Sequence, residues 1–325
     1  MNDIDHAIQI LRRGGLVSFP TETVYGLGAD ATSASAVRKI FQAKGRPPTN
    51  PLIVHVADAE AARRYAKTWP TTAEKLTARL WPGPIALIVN KTPQIVDDAT
   101  AGRPTVALRA PDHPLAQSLL RKFDGPIAAP SANRSTRISP TTADHVRRQL
   151  ADKVDLILDG GPCRVGIEST VLDLTTSIPR ILRPGSIDRQ TIESIIGPVE
   201  MTQKIAHESE PAASPGQQAV HYAPKTPSFR FDRRHAPSVA QHWRNSTRPF
   251  VAILPSDSPI SAAAKNLLQL PADPEPYARR LYAALHEADA QNADSIWIEL
   301  PPDTPAWHAV RDRIFRATRE YAEPF

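Results

Sequence analysis

The sequence of 325 residues contains a single cysteine, Cys163, which cannot form a disulfide within the chain. Its ten histidines show none of the paired spacings that bind zinc, so the sequence predicts neither a disulfide framework nor a metal site. No apolar run approaches the roughly 20 residues that cross a membrane. The segment Met1 to Asp5 is acidic and lacks the features of a signal peptide. We therefore expect a soluble, cytoplasmic protein.

Two widespread catalytic motifs are also missing. The chain has no Gly-x-x-x-x-Gly-Lys-Ser/Thr phosphate loop, which disfavours a conventional ATPase, and no Gly-x-Ser-x-Gly elbow, which leaves a serine hydrolase without support. The surplus of five positive charges lies entirely before residue 227, because residues 227–325 hold 12 basic and 12 acidic side chains. This modest surplus suits nucleotide phosphates or a weak RNA contact, but no basic block marks a dedicated nucleic-acid binder.

Apolar runs alternate with helical patterns over the first part of the chain. Segments such as Leu52 to Val56 and Ile85 to Val89 are typical of buried strands, and Leu115, Leu119 and Leu120 recur at helical spacing. The pattern predicts an α/β fold. The polar motifs fall at strand ends and in loops, where a sheet normally presents its chemistry.

Breaks in periodicity divide the chain. Residues 198–226 combine prolines, glycines and acidic residues, which indicates an interdomain linker. Residues 1–197 are then predicted to form the catalytic domain, and residues 227–325 a small αβ domain with a parallel sheet.

The segment from Lys44 to Pro51 is the strongest sign of a binding site. Its prolines exclude a helix, so the side chains of Lys44 and Arg46 can converge on one phosphate chain from a stiff loop. A solvated pair of cations is the alternative. The loop of Ser131 and Asn133 ends another apolar run, and both side chains can donate hydrogen bonds to an anion or a nucleobase.

Six ordered motifs over roughly two hundred residues resemble the threonylcarbamoyl-AMP synthase family, the YrdC-like enzymes. A further piece, Ser214-Pro215-Gly216 followed by His221-Tyr222-Ala223-Pro224, resembles the linker of the longer, two-domain members with a C-terminal extra domain. The six motifs are Pro20-Thr21-Glu22-Thr23-Val24-Tyr25-Gly26-Leu27, Lys44-Gly45-Arg46-Pro47 with Asn50-Pro51-Leu52, Thr105-Val106-Ala107-Leu108-Arg109-Ala110-Pro111, Pro130-Ser131-Ala132-Asn133, Gly166-Ile167-Glu168-Ser169-Thr170-Val171 and Leu182-Arg183-Pro184-Gly185.

The resemblance implies a fold and a reaction. The fold is a twisted, mixed sheet with a large concave site, followed by a small Rossmann-like αβ domain. In the reaction, the amine of L-threonine captures bicarbonate as a carbamate, which attacks the α-phosphate of ATP to give threonylcarbamoyl-AMP and pyrophosphate. Mg²⁺ would travel with ATP, and no tightly bound cofactor is implied. The product would be passed to other proteins that modify an adenosine of tRNA.

The resemblance also assigns residues to two ligands. Each assignment has a structural alternative: His55 could be a core histidine, Thr23 or Ser169 could cap backbone groups, Arg183 could be a turn cation, and Tyr222 could simply be packed between domains. Glu22 and Glu168 stay outside the set, because a structural hydrogen bond explains a buried carboxylate equally well. The threonine set is Thr23, His55, Arg109 and Ser169; the ATP set is Arg46, Asn50, Thr105, Ser131, Ser139, Arg183 and Tyr222; Lys44, Arg46, Ser131 and Asn133 form the catalytic, phosphate-binding set.

Two departures from the family pattern concern the linker and the last domain. Gln217-Gln218-Ala219-Val220 stands where the family usually has a methionine and basic residues, which weakens a cationic contact from the linker. The segment from Pro305 to Arg313 replaces a glycine-containing turn. Two other functions stay open: a noncatalytic RNA-binding module, and a transferase that uses carbamoyl phosphate.

Overall fold

The computed structural model describes residues 3–202 and 222–321, and their contacts divide into two compact units. The short segments Thr136–Ile138 and Val165–Ile167 belong to the second unit, although they interrupt the sequence of the first. The predicted boundaries, with a catalytic domain over 1–197, a linker over 198–226 and a small domain over 227–325, stay a prediction. No helix in the described ranges is long and apolar enough to cross a membrane.

The first unit is built on a ten-stranded mixed sheet, as expected for the α/β fold. Its strand order is β10-β9-β8-β4-β5-β3-β6-β2-β1-β7, with both parallel and antiparallel neighbours. The strands are β1 (Val17–Phe19), β2 (Gly26–Asp30), β3 (Ile53–His55), β4 (Ile85–Asn90), β5 (Thr105–Arg109), β6 (Ile127–Ala128), β7 (Leu156–Ile157), β8 (Thr170–Asp173), β9 (Arg180–Arg183) and β10 (Glu200–Met201).

Strand β2 begins inside the motif that runs from Pro20 to Leu27, where the sequence does not predict a strand. Its two glycines lower strand propensity, yet the sheet requires a small residue there. A Cβ atom on Gly28 would stand 2.8 Å from both the Ile127 and the Phe19 side chains. Strand β10 is also unexpected, because it lies inside the predicted linker and pairs with β9.

Eight helices of the first unit lie among the described residues. In α2, the Ser33 side chain caps the first turn, and Gly45 ends the helix in the left-handed conformation at φ 61°. The helices are α1 (Asp3–Arg12), α2 (Ala34–Lys44), α3 (Ala59–Arg63), α4 (Thr71–Leu80), α5 (Asp97–Thr100), α6 (Pro114–Phe123), α7 (Ala143–Leu150) and α8 (Arg189–Ile196).

The helices cover the two faces of the sheet unequally. On one face, α2 packs against β2, β3 and β5, while α4 and α8 pack against β4, β8 and β9. On the other face, α1 and α6 cover β1 and β6. Next to them, an apolar cluster on β3, β4, β5, β8 and β9 contains strand residues alone: Ile53, Ala86, Ile88, Ala107, Val171 and the partly buried Leu182. We call this region the open face, in the sense that no helix residue belongs to its apolar cluster.

The second unit is a small αβ domain with a five-stranded sheet in the order β13-β12-β14-β11-β15. All its strand pairs are parallel, which confirms the prediction from the sequence. Its strands are β11 (Ser228–Phe231), β12 (Phe250–Pro255), β13 (Leu267–Leu270), β14 (Ser295–Glu299) and β15 (Arg319–Glu320), and its helices are α9 (Ala236–Asn245), α10 (Pro274–Asp289) and α11 (His308–Ala317).

One side of this second sheet is packed by aromatic rings. Trp243 of α9 stacks on Phe250 with ring centroids 5.0 Å apart and meets Trp297 edge to face. At the carboxyl end of β14, the buried carboxylate of Glu299 accepts a 2.7 Å hydrogen bond from Arg233 Nε. A second hydrogen bond comes from the Ser258 hydroxyl. These contacts join the loops that follow β11, β12 and β14.

Candidate functional site

The cationic loop follows directly from the end of α2. Because Gly45 turns the chain there, the amide of Arg46 bonds back to the Phe41 carbonyl at 3.0 Å, and the loop leaves the helix at a fixed angle. The Arg46 guanidinium donates through Nη2 to the Pro51 carbonyl at 3.2 Å. Asn50 is buried in the same loop. Arg46 and Asn50 are therefore both held by the loop that the sequence marked as the anion site.

Lys44 joins this loop to the serine-asparagine loop. Its Nζ donates to the carbonyl of Ser131 at 2.5 Å and also to the carbonyl of Asn133. Burial, and secondarily the charge of Arg46, lower the pKa of Lys44 well below its ordinary value. An anion bound beside Lys44 and Arg46 would favour the charged form of Lys44 and compensate the buried positive charge.

The serine-asparagine loop is held by its own side chains and by β2. The Ser131 hydroxyl lies 2.5 Å from Asn133 Oδ1, and the Asn133 amide donates to the Arg134 carbonyl at 2.8 Å. An isolated bridge pairs Ser131 with Gly26. Lys44 thus contacts the backbone of both Ser131 and Asn133, and the charge of Arg46 acts on Lys44. The grouping of these four residues as the catalytic set stays a prediction.

His55 and Arg109 are neighbours across the sheet. They form a pair in the parallel register of β3 and β5, and alternation along both strands places them on the open face with Ile53 and Ala107. Burial, followed by the charge of Arg109, lowers the pKa of His55 to about 3. The imidazole is therefore neutral at physiological pH, while its neighbour carries a charge.

Arg109 is held in place by one hydrogen bond and one ion pair. Its Nε donates to the Gly83 carbonyl at 3.3 Å, and its Nη2 lies 2.8 Å from Oε2 of Glu22. The adjacent Thr23 has its hydroxyl 2.9 Å from that of Thr21. Thr21, rather than Thr23, carries the local capping role, because its Oγ1 accepts hydrogen bonds from the amides of Thr23 and Val24.

Three further hydrogen bonds link two pairs of polar residues near β8 and β9. The Ser139 hydroxyl donates to Glu168 Oε1 at 2.5 Å. Arg183 donates through Nη2 to both the carbonyl and the hydroxyl of Ser169, at 2.9 and 3.2 Å. Ser169, which the resemblance assigns to threonine, thus touches Arg183, which it assigns to ATP.

The register of the sheet sets the distance between Arg109 and Arg183. Leu108 pairs with Leu87 on β4, and the same register continued by one residue brings Arg109 to the level of Ala86. Ala86 pairs with Val171 on β8, and Val171 pairs with Arg183 on β9. Three strand spacings of ~4.8 Å place the Arg109 and Arg183 backbones about 14 Å apart at the same level of the sheet. Both residues can therefore flank one extended ligand on the open face.

Two residues of the predicted ATP set are described separately. Thr105 begins β5 and shares the face of Arg109, but four residue steps of ~3.3 Å each separate them by about 13 Å. Tyr222 belongs to the second unit, where its ring lies 5.5 Å from that of Tyr282 and 5.6 Å from the Arg313 guanidinium. Most of the predicted linker over 198–226, including Ser214-Pro215-Gly216, lies outside the described residues.

Two carboxylates that the sequence analysis left out belong to these clusters. Glu22 pairs with Arg109, and Glu168 accepts from Ser139. The sequence gives one sign of this. Each carboxylate immediately precedes a residue of the predicted threonine-binding set, Thr23 or Ser169. Among the described residues, no three His, Cys, Asp or Glu side chains cluster closely enough to hold a metal ion.

Cys163 lies close to the cluster of Glu22, Thr23, His55 and Arg109, which we call the strand-end cluster. Its amide donates to the Thr141 carbonyl at 2.9 Å, and its thiol is buried. Burial raises the pKa of this thiol to about 12, with a smaller contribution from the charge of Glu22. The thiol is therefore protonated at neutral pH.

Comparison with known proteins matches both units to family models. Residues 9–185 match the family described as "Telomere recombination", whose model is named Sua5_yciO_yrdC. Residues 187–318 match the model described as "Threonylcarbamoyl-AMP synthase, C-terminal domain".

Full-length relatives and a solved structure agree with these matches. The chain is 40% identical to the threonylcarbamoyl-AMP synthase of Bacillus subtilis, over 97% of this chain and 92% of that one. It is 39% identical to the protein of the same name from Pyrococcus abyssi, over 96% and 93%. The crystal structure of P. abyssi Sua5 complexed with L-threonine matches at a TM-score of 0.90 and 37% identity, covering 98% of this chain and 96% of that one.

Proposed function

Because the chain belongs to the threonylcarbamoyl-AMP synthase family, we propose that it is an L-threonylcarbamoyladenylate synthase, a nucleotidyltransferase. It converts L-threonine, bicarbonate and ATP to threonylcarbamoyl-AMP and pyrophosphate. The observation that supports this most directly is the placement of the clusters. One buried arginine with a neutral histidine beside it suits an amino acid, and separate cationic groups suit a nucleotide.

At the amino-acid end, Arg109 binds the carboxylate of threonine. A guanidinium offers a planar fork of donors that matches a carboxylate, and its hydrogen bond to Gly83 fixes the plane of that fork. The neutral His55 and the hydroxyls of Thr23 and Ser169 suit the β-hydroxyl. The relative from P. abyssi, crystallised with L-threonine, supports the same ligand for this chain.

At the nucleotide end, the protein supplies charge and alignment. The carbamate oxygen is itself the nucleophile, so the reaction needs no nucleophilic side chain, only a cradle that neutralises phosphate charge and directs that oxygen at the α-phosphorus. Lys44, Arg46 and Arg183 supply the cations, and Ser131 and Asn133 supply donors. The remaining members of the ATP set are Asn50, Thr105, Ser139 and Tyr222.

Mg²⁺ enters with ATP as part of the substrate. The ion commonly uses phosphate oxygens and water, and it needs no more than one or two carboxylates from the protein. A site whose described residues include no cluster of three or more His, Cys, Asp or Glu side chains is compatible with this mode of binding. The product would then pass to other cytoplasmic proteins that complete the threonylcarbamoyl modification of tRNA.

The test is pyrophosphate release by the purified full chain from Mg²⁺ and ATP. The proposal expects release only when threonine and bicarbonate are both present, together with a threonine-containing adenylate detected by mass spectrometry. Release that depends on carbamoyl phosphate instead of bicarbonate would favour the carbamoyl transferase. RNA binding without any turnover would leave the noncatalytic module as the better account.

A further inference from the structure

Glu22 is a fully buried carboxylate at the strand-end cluster, with no exposed surface. Its Oε2 lies 2.8 Å from Arg109 Nη2 and accepts a hydrogen bond from the Asp112 amide at 3.1 Å. Its Oε1 has no hydrogen-bond partner within the described part of the chain. A buried carboxylate oxygen left in this state costs free energy, so its retention requires an explanation beyond the packing of the loop.

The charges around Glu22 cancel. Arg109 is the cation that faces it, and His55 is neutral at neutral pH because burial lowers its pKa. Nearby, Cys163 is protonated, burial lowers the pKa of His113, and the Asp112 carboxylate pairs with Arg164. The cluster that would receive the amino acid therefore carries one positive and one negative charge and is neutral overall.

A neutral pair of opposite charges is suited to a zwitterion. Free threonine carries a carboxylate and an ammonium group on the same carbon atom, and its net charge is zero. Without the carboxylate of Glu22, Arg109 would be an uncompensated buried cation, which is costly and attracts any anion. The subsite would then favour a simple carboxylic acid, or a phosphate, over an amino acid.

We propose that Glu22 determines the specificity of the amino-acid subsite. Its carboxylate holds the Arg109 guanidinium in position and balances its charge, so that the subsite selects a zwitterionic α-amino acid over the anionic acid of the same shape. The inference rests on the proposed threonine site, and it adds to that site a residue that acts through Arg109.

The test compares threonine with (R)-3-hydroxybutyrate, which keeps the carboxylate and the hydroxyl of threonine and lacks its amino group. Dissociation constants for both compounds are measured by calorimetry on the full chain, for the wild type and for Glu22→Gln. Wild-type protein should prefer threonine. In Glu22→Gln the ratio of the two constants should shift at least tenfold towards hydroxybutyrate, and Glu22→Asp, which keeps the charge, should restore most of the preference.

A matched control is available in the second unit. Glu299 is equally buried and accepts a hydrogen bond from Arg233 Nε, so Glu299→Gln removes a buried, paired charge that belongs to the other unit of the chain. Its ratio of dissociation constants should equal that of the wild type.

Two results would overturn the inference. The first is a Glu22→Gln protein in which both ligands weaken in parallel, which is the signature of a merely structural role. The second needs no variant and holds even if Glu22→Gln does not fold: wild-type protein that binds hydroxybutyrate as tightly as threonine. Failure of the proposed reaction is a separate observation, since it would appear as absent pyrophosphate release whatever the binding ratio.

Discussion

Replacement of Arg109 by lysine tests the amino-acid site most directly. Only 4% of the Arg109 side chain is exposed, and its Nε and Nη2 are engaged by Gly83 and Glu22. Lysine keeps the positive charge but has one nitrogen in place of three. It can hold the ion pair with Glu22 or reach the substrate carboxylate, but it cannot reproduce the fork.

The expected loss is that of one hydrogen bond to a charged group, about 1.5 to 3 kcal/mol. At 1.36 kcal/mol for each factor of ten, the apparent KM for threonine should rise about ten- to 150-fold. The KM for ATP should stay within about twofold of the wild type, because the lost contact belongs to the amino acid alone.

The assay is steady-state pyrophosphate release, with threonine varied at saturating ATP and bicarbonate and then ATP varied at saturating threonine. Arg64→Lys is the control, because Arg64 also pairs with a carboxylate at 2.8 Å but lies on the surface with 47% of its side chain exposed. Exposed pairs contribute little, so this variant should match the wild type. Equal increases of both KM values in Arg109→Lys would refute the assignment and move Arg109 to the nucleotide or to a structural role.

Three further predictions concern the nucleotide, acid stability and the second unit. Arg46→Ala should lower kcat at least tenfold with an unfolding midpoint near that of the wild type, because it removes a charged phosphate contact, and wild-type turnover in the folded variant would contradict it. The folded-state pKa of His55 is about 3 and the ordinary value is 6.5, so the unfolded chain binds the proton first as pH falls. Urea unfolding at pH 7.5 and 5.5 should therefore show the wild type losing about 1.4 kcal/mol more than His55→Asn, and equal losses would refute the role of His55. Tyr222→Phe should keep its packing on Tyr282 and its unfolding midpoint while raising the KM for ATP about two- to tenfold; an unchanged KM would leave Tyr222 with a packing role alone.

Local pattern predicts much of the fold and fails where tertiary contacts override it. The parallel sheet of the second unit follows from its apolar runs, and the apolar spacing of α1 and α6 matches their buried faces. Strand β2 could not be predicted, because glycine normally argues against a strand. The space at Gly28 is limited by the side chains of Phe19 on β1 and Ile127 on β6, and the local sequence does not show that these strands are its neighbours. The assignment of Val165–Ile167 to the second unit likewise depends on contacts that no local pattern contains.

The candidate site, like the fold, could be predicted from the sequence only in part. Motifs in the sequence point to Lys44, Arg46 and Asn133 because their residue types are unusual for a loop beside a buried strand. The partners of those residues are a different matter. That Lys44 holds backbone carbonyls, and that Arg109 pairs with Glu22, depends on how separate strands are registered, and spacing along the chain carries no information about it.

The buried state of Cys163 has a practical consequence for spectroscopy. The thiolate is the form that attacks thiol-directed reagents, and a pKa raised to about 12 in a closed environment leaves almost no thiolate at neutral pH. Since the chain has no other cysteine, the native protein should not react with maleimides. A cysteine introduced at an exposed position such as Ile178 would then be the one reactive sulfur, and a fluorophore or spin label could be attached there without first removing Cys163.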